Sequence, residues 1–393
     1  MDTTTSSKST DILSLEEQIA RLQALLEASR QVHSTIKLDE VLAQTARILV
    51  RELEMDGAAF LSPASSDLMA AYGDLPEPPY AGCPRFPLLS KDDVVLAELM
   101  VATSKGSRLT LYEQDFIEGI VLQAAVAVEN ATFHERDLEW ARVQQDLDAA
   151  RAIQRSLLPK SMPNIPNYSI AGRSTACYEV GGDYLDTILL PDGTHLVVVA
   201  DVAGKGLASA IVATAFRSSL RSLVTQPLAL ADIVARVGQQ HWGEGDEARR
   251  RYVTAIFMKL HIAKGEIEVV NAGHNPGALI LPDGTIRMIE ASGTPLGMLP
   301  GMSYSAETFP FAPGSRILLY TDGLTEVFCG EDEFGCERLT EEFRMIPSSS
   351  AESILDTLWY KLSNFSSDAH QTDDMTAVAV CHLSPSQQET AQL

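Results

Sequence analysis

Cysteine and positive charge are both scarce in this sequence, and each scarcity excludes a class of protein. Five cysteines, an odd number, are scattered over 393 residues, so a disulfide-bonded framework is not expected. There are 30 Lys and Arg residues against 53 Asp and Glu residues, which gives a net charge of −23. Because nucleic acids and anionic membrane surfaces are bound through basic side chains, neither is expected as a partner.

Long apolar runs are also missing. No stretch approaches the roughly 18 to 20 apolar residues of a membrane-spanning helix. The first ten residues, MDTTTSSKST, lack the regions of a signal peptide. The sequence therefore predicts a cytoplasmic protein. Its apolar content of 45% is ordinary for a globular protein, and its length suits about two or three domains.

Acidic residues, by contrast, recur in distinctive short strings from the middle of the chain to its end. These are Asp183 in VGGDYLD, Asp201 in ADVAGKG, Asp322 in YTDGLTE, and Asp373 beside Asp374 in QTDDMT. Apolar β-type runs precede two of them, which predicts carboxylates at strand ends. Buried together without partners, carboxylates cost several kcal/mol. Since Mg²⁺ and Mn²⁺ prefer oxygen ligands, the strings predict a metal site, and a two-metal site is favoured.

Changes of pattern along the chain predict five segments. Residues 1–37 are a disordered start and an amphipathic helix, 38–135 a compact α/β unit, 136–160 a linker helix, 161–384 a second domain, and 385–393 a disordered tail. In 161–384, many antiparallel strands with paired helices predict an α+β fold of two packed sheets flanked by helices.

Two apolar stripes with helical spacing predict surfaces for pairing. The first has the spacing of a coiled-coil seam (Ile12, Leu15, Ile19, Leu22, Leu26), and the second lies in the linker helix (Trp140, Val143, Leu147, Ala150, Ile153). The first could instead pack on its own domain. The linker helix could carry a signal or act as a passive spacer. A homodimer is the prediction.

The segment 38–135 resembles a GAF sensory domain in its order of elements: a helix, antiparallel strands and a closing helix. A capping-box pattern, Thr110 with Glu113, opens that last helix. The resemblance implies that this N-terminal domain receives a ligand or an upstream activator.

The second domain resembles a different family. VGGDYLD, DVAGKG, NAGHNP (271–276), TPLGM, YTDGLTE and DDMT occur in the order found in SpoIIE-type phosphatases of the metal-dependent PPM serine/threonine class. The stretch AIQRSLLP (152–159) is similar to that family's helix before the catalytic domain. With a sensory domain in front, the chain resembles the RsbU-like sigma-regulator phosphatases.

This resemblance implies a fold, a site and a substrate. The fold is an αββα sandwich that holds two Mn²⁺ or Mg²⁺ ions. Asp201 is expected to bridge the ions, the carbonyl group of Val202 to bind one of them, Asp322 and Asp373 to hold the other, and Asp183 to act through water. The substrate would be a phosphoserine or phosphothreonine protein, specifically a phosphorylated anti-anti-sigma (STAS) protein in a partner-switching pathway.

Several polar residues have more than one interpretation. Asp374 could support a metal or cap its turn. Lys205 could meet phosphate as a point charge or be merely exposed. His274 is expected to order its loop rather than act as a general acid, and Asp186 to be a solvated strand residue. The PDG strings at Asp192 and Asp283 are expected to be turns.

Three functions from different classes fit these features. The first is a metal-dependent protein serine/threonine phosphatase regulated by its N-terminal region. The second is a non-catalytic module that binds a partner through a phosphatase fold, against which the presence of all four acids argues. The third is a nucleotide cyclase, since GGD is similar to the diguanylate cyclase signature, but Tyr184 and Leu185 replace the expected acid-aromatic pair.

Overall fold

The computed structural model describes residues 18–20, 22–80, 82–103, 108–347, 350–366 and 371–384. The chain divides into two compact units between Gln144 and Gln145. Ile12 and Leu15 of the predicted seam and the predicted tail 385–393 lie outside the described residues. The predicted domain boundaries stay predictions.

The N-terminal unit is built on one antiparallel sheet with helices. Helix α1 covers 18–32, with residue 21 outside the description. The sheet has the order β2-β1-β4-β3. The elements that follow α1 are α2 (Leu38–Glu52), β1 (Gly57–Leu61), β2 (Leu68–Gly73), β3 (Arg85–Leu89), β4 (Val95–Ala102) and α3 (Leu111–Leu157). The order agrees with the predicted helix, strands and helix, while the likeness to a GAF domain stays a prediction.

Helix α3 is one continuous element where the sequence predicts two. Its start has the predicted capping box, in which the backbone N–H of Thr110 donates to Glu113 Oε2 at 2.6 Å and the N–H of Glu113 donates to Thr110 Oγ1 at 3.2 Å. No glycine or proline lies between residues 120 and 158, so nothing ends the helix near 135. It ends at Leu157, two residues before Pro159.

Part of α3 is apolar enough, by length and composition, to cross a membrane. Half of that 18-residue window is buried inside the protein. Phe116, Ile117, Ile120 and Ala124 of the helix belong to the core of the N-terminal unit. The core helix of a soluble domain has this same character, so the window by itself does not identify a membrane span.

The C-terminal unit contains two five-stranded antiparallel sheets. Their orders are β12-β9-β8-β7-β6 and β11-β10-β13-β16-β5. The strands are β5 (Tyr168–Thr175), β6 (Tyr184–Leu189), β7 (His195–Val202), β8 (Val253–His261), β9 (Glu266–Ala272), β10 (Gly277–Ile280), β11 (Ile286–Ile289), β12 (Glu307–Pro310), β13 (Arg316–Tyr320) and β16 (Met375–His382), with a small hairpin of β14 (Phe328–Cys329) and β15 (Asp332–Glu333).

Side chains alternate between the two faces of each strand, so one face of each sheet packs on the other sheet and the opposite face packs on helices. Val197 and Val199 of β7 share a core with Leu319 and Val378 of the other sheet. The opposite face of the first sheet packs with helices α4 and α5, and that of the second with α7 and α8. The helices are α4 (Leu207–Leu223), α5 (Leu230–Gly243), α6 (Asp246–Arg249), α7 (Gly335–Met345) and α8 (Ala351–Ser366). This is the predicted αββα sandwich.

Candidate metal and catalytic site

Two neighbouring strands in each sheet bring the acidic strings to one region. Asp183 directly precedes β6, and Asp201 lies near the end of β7, where Ala200 pairs with Tyr184. In the other sheet, Asp322 follows β13 and Asp373 precedes β16, where Tyr320 pairs with Ala377. Antiparallel neighbours place the end of one strand beside the start of the next, so each sheet contributes a pair of acids.

Asp183 is the most deeply buried of the four predicted ligands. It is 7% exposed, and its Oδ2 accepts a hydrogen bond from Thr321 Oγ1 at 2.8 Å. Burial, followed by the charge of Asp201, raises the pKa of Asp183 well above its usual range. The hydroxyl of Thr321 therefore only partly offsets the cost of a carboxylate in this position. Thr321 is a site residue that sequence reasoning missed, although it stands beside Asp322 in YTDG.

Asp201 and the carbonyl oxygen of Val202 lie against Gly182. A Cβ atom added at Gly182 would be 3.0 Å from the Val202 oxygen and 3.4 Å from Asp201 Oδ1. A side chain at this position would crowd both predicted ligands, so the glycine keeps this space open. Burial, followed by the charges of Asp322, Asp373 and Asp374, raises the pKa of Asp201 to about 7.

Asp322 and Asp373 form the second pair. Asp322 starts a short 3-10 helix, and burial, followed by the charge of Asp373, raises the pKa of Asp322. Lys205 Nζ contacts Asp373 Oδ2 at 2.8 Å and donates to the carbonyl oxygen of Thr372 at 2.6 Å. Its side chain is 48% exposed, so Lys205 is a solvent-accessible cation at the edge of the acid cluster.

Asp374 anchors the loop that carries Asp183. Its Oδ1 accepts from the backbone N–H of Cys177, and its Oδ2 from that of Gly182, both at 2.7 Å. A Cβ added at Gly181 would lie 2.3 Å from Asp374 Oδ2. Of the two alternatives for Asp374, these contacts favour an anchoring role over direct metal binding, because both oxygens already accept hydrogen bonds.

Gln154 also holds this loop, through Gly181. Its Nε2 donates to the carbonyl oxygen of Gly181 at 2.6 Å, and its Oε1 accepts from the N–H of Gly181 at 3.2 Å. Gln154 lies in the AIQRSLLP stretch, near the end of α3. The stretch stands out in the sequence, but the role of Gln154 does not, because a long-range contact to a backbone amide leaves no periodic signal.

The donor set fits hard divalent cations that keep part of their water shell. Within the described residues, no three acidic, histidine or cysteine side chains converge closely enough to hold one ion by themselves. Mg²⁺ commonly binds through one or two carboxylates and retains several waters. The raised pKa values of Asp183, Asp201 and Asp322 report mutual repulsion and burial that a bound cation would relieve.

One interpretation from the sequence is wrong. Asp186 is not solvated but fully buried, and Arg221 Nε and Nη2 each donate to it at 2.7 Å. The hydroxyl group of Tyr184 and the N–H of Thr187 also donate to Asp186. Its cationic partner comes from α4, which the alternation of residues along a strand does not indicate.

The remaining polar residues behave as structural elements. His274 is buried, and its Nδ1 lies 2.8 Å from the Oγ1 of Thr254, the residue that pairs with Asp201 across β7 and β8. Burial lowers the pKa of His274 to about 4, which favours an ordering role. Asp192 and Asp283 accept from the N–H groups of Thr194 and Thr285, so both PDG turns are confirmed.

Comparisons with known proteins identify a family match within the C-terminal unit and several similar proteins. A family model described as Stage II sporulation protein E (SpoIIE) matches residues 191–383. Protein IcfG of Synechocystis sp. is 26% identical over 261 residues, which cover 60% of this chain and 41% of IcfG. Phosphoserine phosphatase RsbP of Bacillus subtilis is 27% identical over 185 residues, which cover 47% of this chain and 46% of RsbP. The chain thus spans less than half the length of these two relatives.

A solved structure supports the fold. The SiaA-PP2C domain of Pseudomonas aeruginosa aligns with a TM-score of 0.54 at 21% identity and covers 61% of this chain and 97% of that domain. At this identity, the likeness establishes the αββα fold only.

Proposed function

From the premise that the C-terminal domain is a SpoIIE-type PPM phosphatase domain, we propose that this protein hydrolyses phosphoserine or phosphothreonine in a protein substrate with the help of two Mn²⁺ or Mg²⁺ ions. The observation that carries the proposal is the cluster of acids at four strand ends, in which burial and neighbouring carboxylates raise the pKa values of Asp183, Asp201 and Asp322. Two bound ions would acidify water and offset charge on the phosphoryl oxygens.

The residues of the chain have separate tasks in this proposal. Asp201 would serve both ions, the carbonyl group of Val202 would hold one of them, and Asp322 and Asp373 would hold the other. Thr321 fixes the carboxylate of Asp183 by a 2.8 Å hydrogen bond. Lys205, half exposed beside Asp373, is placed to meet a phosphate oxygen as a point charge.

Metal removal tests this function directly. Hydrolysis of p-nitrophenyl phosphate should be abolished by EDTA and restored better by Mn²⁺ than by Zn²⁺, because the donors are oxygen atoms. A chain that binds Mn²⁺ but hydrolyses neither p-nitrophenyl phosphate nor a phosphoserine peptide would instead support the non-catalytic alternative.

We further propose that the substrate is a phosphorylated STAS protein in a partner-switching pathway. Support comes from the similarity to a protein named phosphoserine phosphatase RsbP, a name that concerns that relative and that the proposal extends to this chain. Release of phosphate from a serine-phosphorylated STAS protein, compared with an unrelated phosphoserine protein at equal concentration, tests the extension. Equal rates on both would contradict it.

Regulation by the N-terminal unit is proposed to act through α3. The helix continues past Gln145 and, at its end, Gln154 holds Gly181 while Arg217 Nε of α4 donates to the carbonyl oxygen of Leu157 at 3.0 Å. A ligand or activator that shifts the helix would therefore move the loop before Asp183. Substitutions of Ile153, Leu157 or Leu158 should change the basal rate or the Mn²⁺ affinity without unfolding the domain.

A homodimer in the cytoplasm is the proposed state of the protein. Phe133, Trp140 and Ile153 of α3 are 61%, 72% and 64% exposed, and Val126, Phe133 and Trp140 recur every seven residues. Such a row suits a coiled-coil seam with a second copy. Light scattering at tens of micromolar should give about twice the 42.6 kDa of one chain; a mass of one chain would contradict the dimer.

A further inference from the structure

A cavity of about 210 Å³, lined by apolar and polar side chains, lies beside the acid cluster in the C-terminal unit. Its walls come from the β14–β15 hairpin region, helix α8 and the start of β16. Its apolar lining side chains are those of Val327, Phe328, Trp359, Leu362 and Met375. Neither the proposed metal ligands nor Gln154 lines this cavity, so the roles described above give it no function.

The cavity shares its wall with the predicted ligands. Gly323 and Thr372 line it, and they are the chain neighbours of Asp322 and Asp373. Thr372 Oγ1 donates to the carbonyl oxygen of Glu326 at 3.1 Å, which ties the two sides of the wall together. Since an extended chain advances about 3.3 to 3.6 Å per residue, a phosphoserine at the acids would have its near neighbours within reach of the cavity.

The chemistry of the lining selects the occupant. About 150 Å³ of apolar space is enough to hold benzene, so this cavity has room for a leucine, methionine or phenylalanine side chain. The acidic side chain of Glu326 also lines it, beside the acid cluster. An acidic side chain would be repelled there.

We infer that this cavity receives an uncharged apolar side chain of the substrate protein, one or two residues from the phosphoserine. The inference rests on the proposed phosphatase function and adds to it a determinant of substrate choice. The cavity would then distinguish phosphoproteins by the residue near the phosphoserine. Small phosphate esters have no such residue, so their hydrolysis would not depend on the cavity.

Ser363 offers a way to fill the cavity without touching the acids. It is an exposed residue of α8 that lines the cavity, so Ser363→Phe should occupy the space. Ser353→Phe is the matched control, because Ser353 is exposed on the same helix and does not line the cavity. Both variants should hydrolyse p-nitrophenyl phosphate with wild-type kcat/KM.

Phosphoserine peptides with leucine, alanine or aspartate at each of the two positions on either side supply the measurement. At one of these positions, the wild-type protein should prefer leucine over aspartate by about tenfold or more in kcat/KM, on the scale of a side chain in an apolar pocket. Ser363→Phe should lose that preference through a raised KM, and Ser353→Phe should keep it. Equal rates for all peptides, or a preference that survives in Ser363→Phe, would overturn the inference.

A binding measurement separates this inference from the proposed function. If the wild-type protein hydrolyses neither p-nitrophenyl phosphate nor a phosphoserine peptide with Mn²⁺, the proposed function fails. Fluorescence anisotropy of the labelled peptides with the Mn²⁺-loaded protein then decides the inference alone: tighter binding of the leucine peptide that Ser363→Phe abolishes supports it, and equal binding of all peptides overturns it.

Discussion

Two acids three residues apart, Asp183 and Asp186, are both buried, yet the protein treats them in opposite ways. Asp186 accepts two hydrogen bonds from Arg221 and further ones from Tyr184 and Thr187. Asp183 accepts from the hydroxyl of Thr321 and lies near the charge of Asp201. One acid has a permanent cation supplied by the chain, and the other has a neighbour of its own sign.

The difference separates a structural acid from one with the surroundings expected of a metal-site acid. A buried carboxylate that lacks a cation is costly, and a fold that needed only stability would pair it or replace it. In the described part of the chain, the ion pair that reaches the acid cluster is Lys205 with Asp373, and Lys205 is half exposed. The cluster therefore retains unfavourable charge that a divalent cation can relieve.

The largest effect on catalysis is expected from substitution of the acids in the unpaired cluster. Asp201→Ala or Asp322→Ala should lower kcat by about a hundredfold or more at saturating Mn²⁺, the scale of losing an electrostatic centre. The fold should persist, because each change removes a repelled charge. Steady-state hydrolysis and a thermal melt of each variant provide the measurement. Near-wild-type turnover in Asp201→Ala would show that its bridging assignment is wrong.

Loss of the ion pair between Asp186 and Arg221 should lower the stability of the fold and leave catalysis nearly unchanged. Arg221→Met leaves the fully buried Asp186 without its cation. Loss of one partner from a buried pair costs about 3–5 kcal/mol, and because Arg221 is 40% exposed, about 2 kcal/mol is expected.

Urea unfolding measures that loss, and kcat per folded molecule should stay within severalfold of wild type. The double variant Arg221→Met with Asp186→Asn is the control, because it also removes the stranded charge and should recover part of the stability. A variant that keeps full stability but loses turnover would place Asp186 with the catalytic acids.

The acid strings were predictable from sequence because Asp201 and Asp322 follow apolar β-type runs, and Asp183 and Asp322 stand beside glycines, which gives a local signal. The αββα layers followed from alternating strands and helices, together with the family resemblance. The partners of those acids were not predictable. Arg221 reaches Asp186 from 35 residues away, and Gln154 reaches Gly181 from 27 away. Such contacts depend on how the layers pack, and neither residue stands out by spacing.

Helix α3 illustrates the opposite limit. The sequence predicts that this helix ends near residue 135, where the N-terminal domain is expected to end. The residues there include no glycine or proline, and the helix continues to Leu157. Local helix propensity determines where α3 ends, and the helix continues without a break through the position where the sequence predicts a domain boundary.

The unpaired charge of the cluster should also be visible in the pH dependence of stability. The pKa of Asp201 is raised to about 7, above the value of about 3.9 in an unfolded chain. Between these values the folded state holds a proton that the unfolded state releases, so stability of the metal-free protein should fall as pH rises from 5 to 8. Asp183 and Asp322 shift in the same direction.

Thermal melts after EDTA dialysis measure this fall, which should be a few degrees, since about 1 kcal/mol corresponds to roughly 2–4 °C in a domain of this size. Mn²⁺ competes with the protons and should raise Tm more at pH 8 than at pH 5. Asp201→Asn, which cannot titrate, should show a smaller decline. A metal-free Tm that rises over this range would contradict the assignment of raised pKa values.

The smallest effect is expected from the residue that only positions the functional acid. Gln154→Ala removes two hydrogen bonds to Gly181, one at 2.6 Å and one at 3.2 Å, each worth about 0.5–1.5 kcal/mol. Asp374 still holds the adjacent Gly182, so the loop should loosen rather than unfold. The apparent Mn²⁺ affinity should therefore fall by about threefold to tenfold, with kcat at saturating Mn²⁺ changed less.

Ser156→Ala is the control, because Ser156 is exposed and its hydroxyl group bonds within the same helix, to the carbonyl oxygen of Ile153. If the two variants give the same Mn²⁺ titration, Gln154 does not position the loop, and α3 loses its contact route to Asp183.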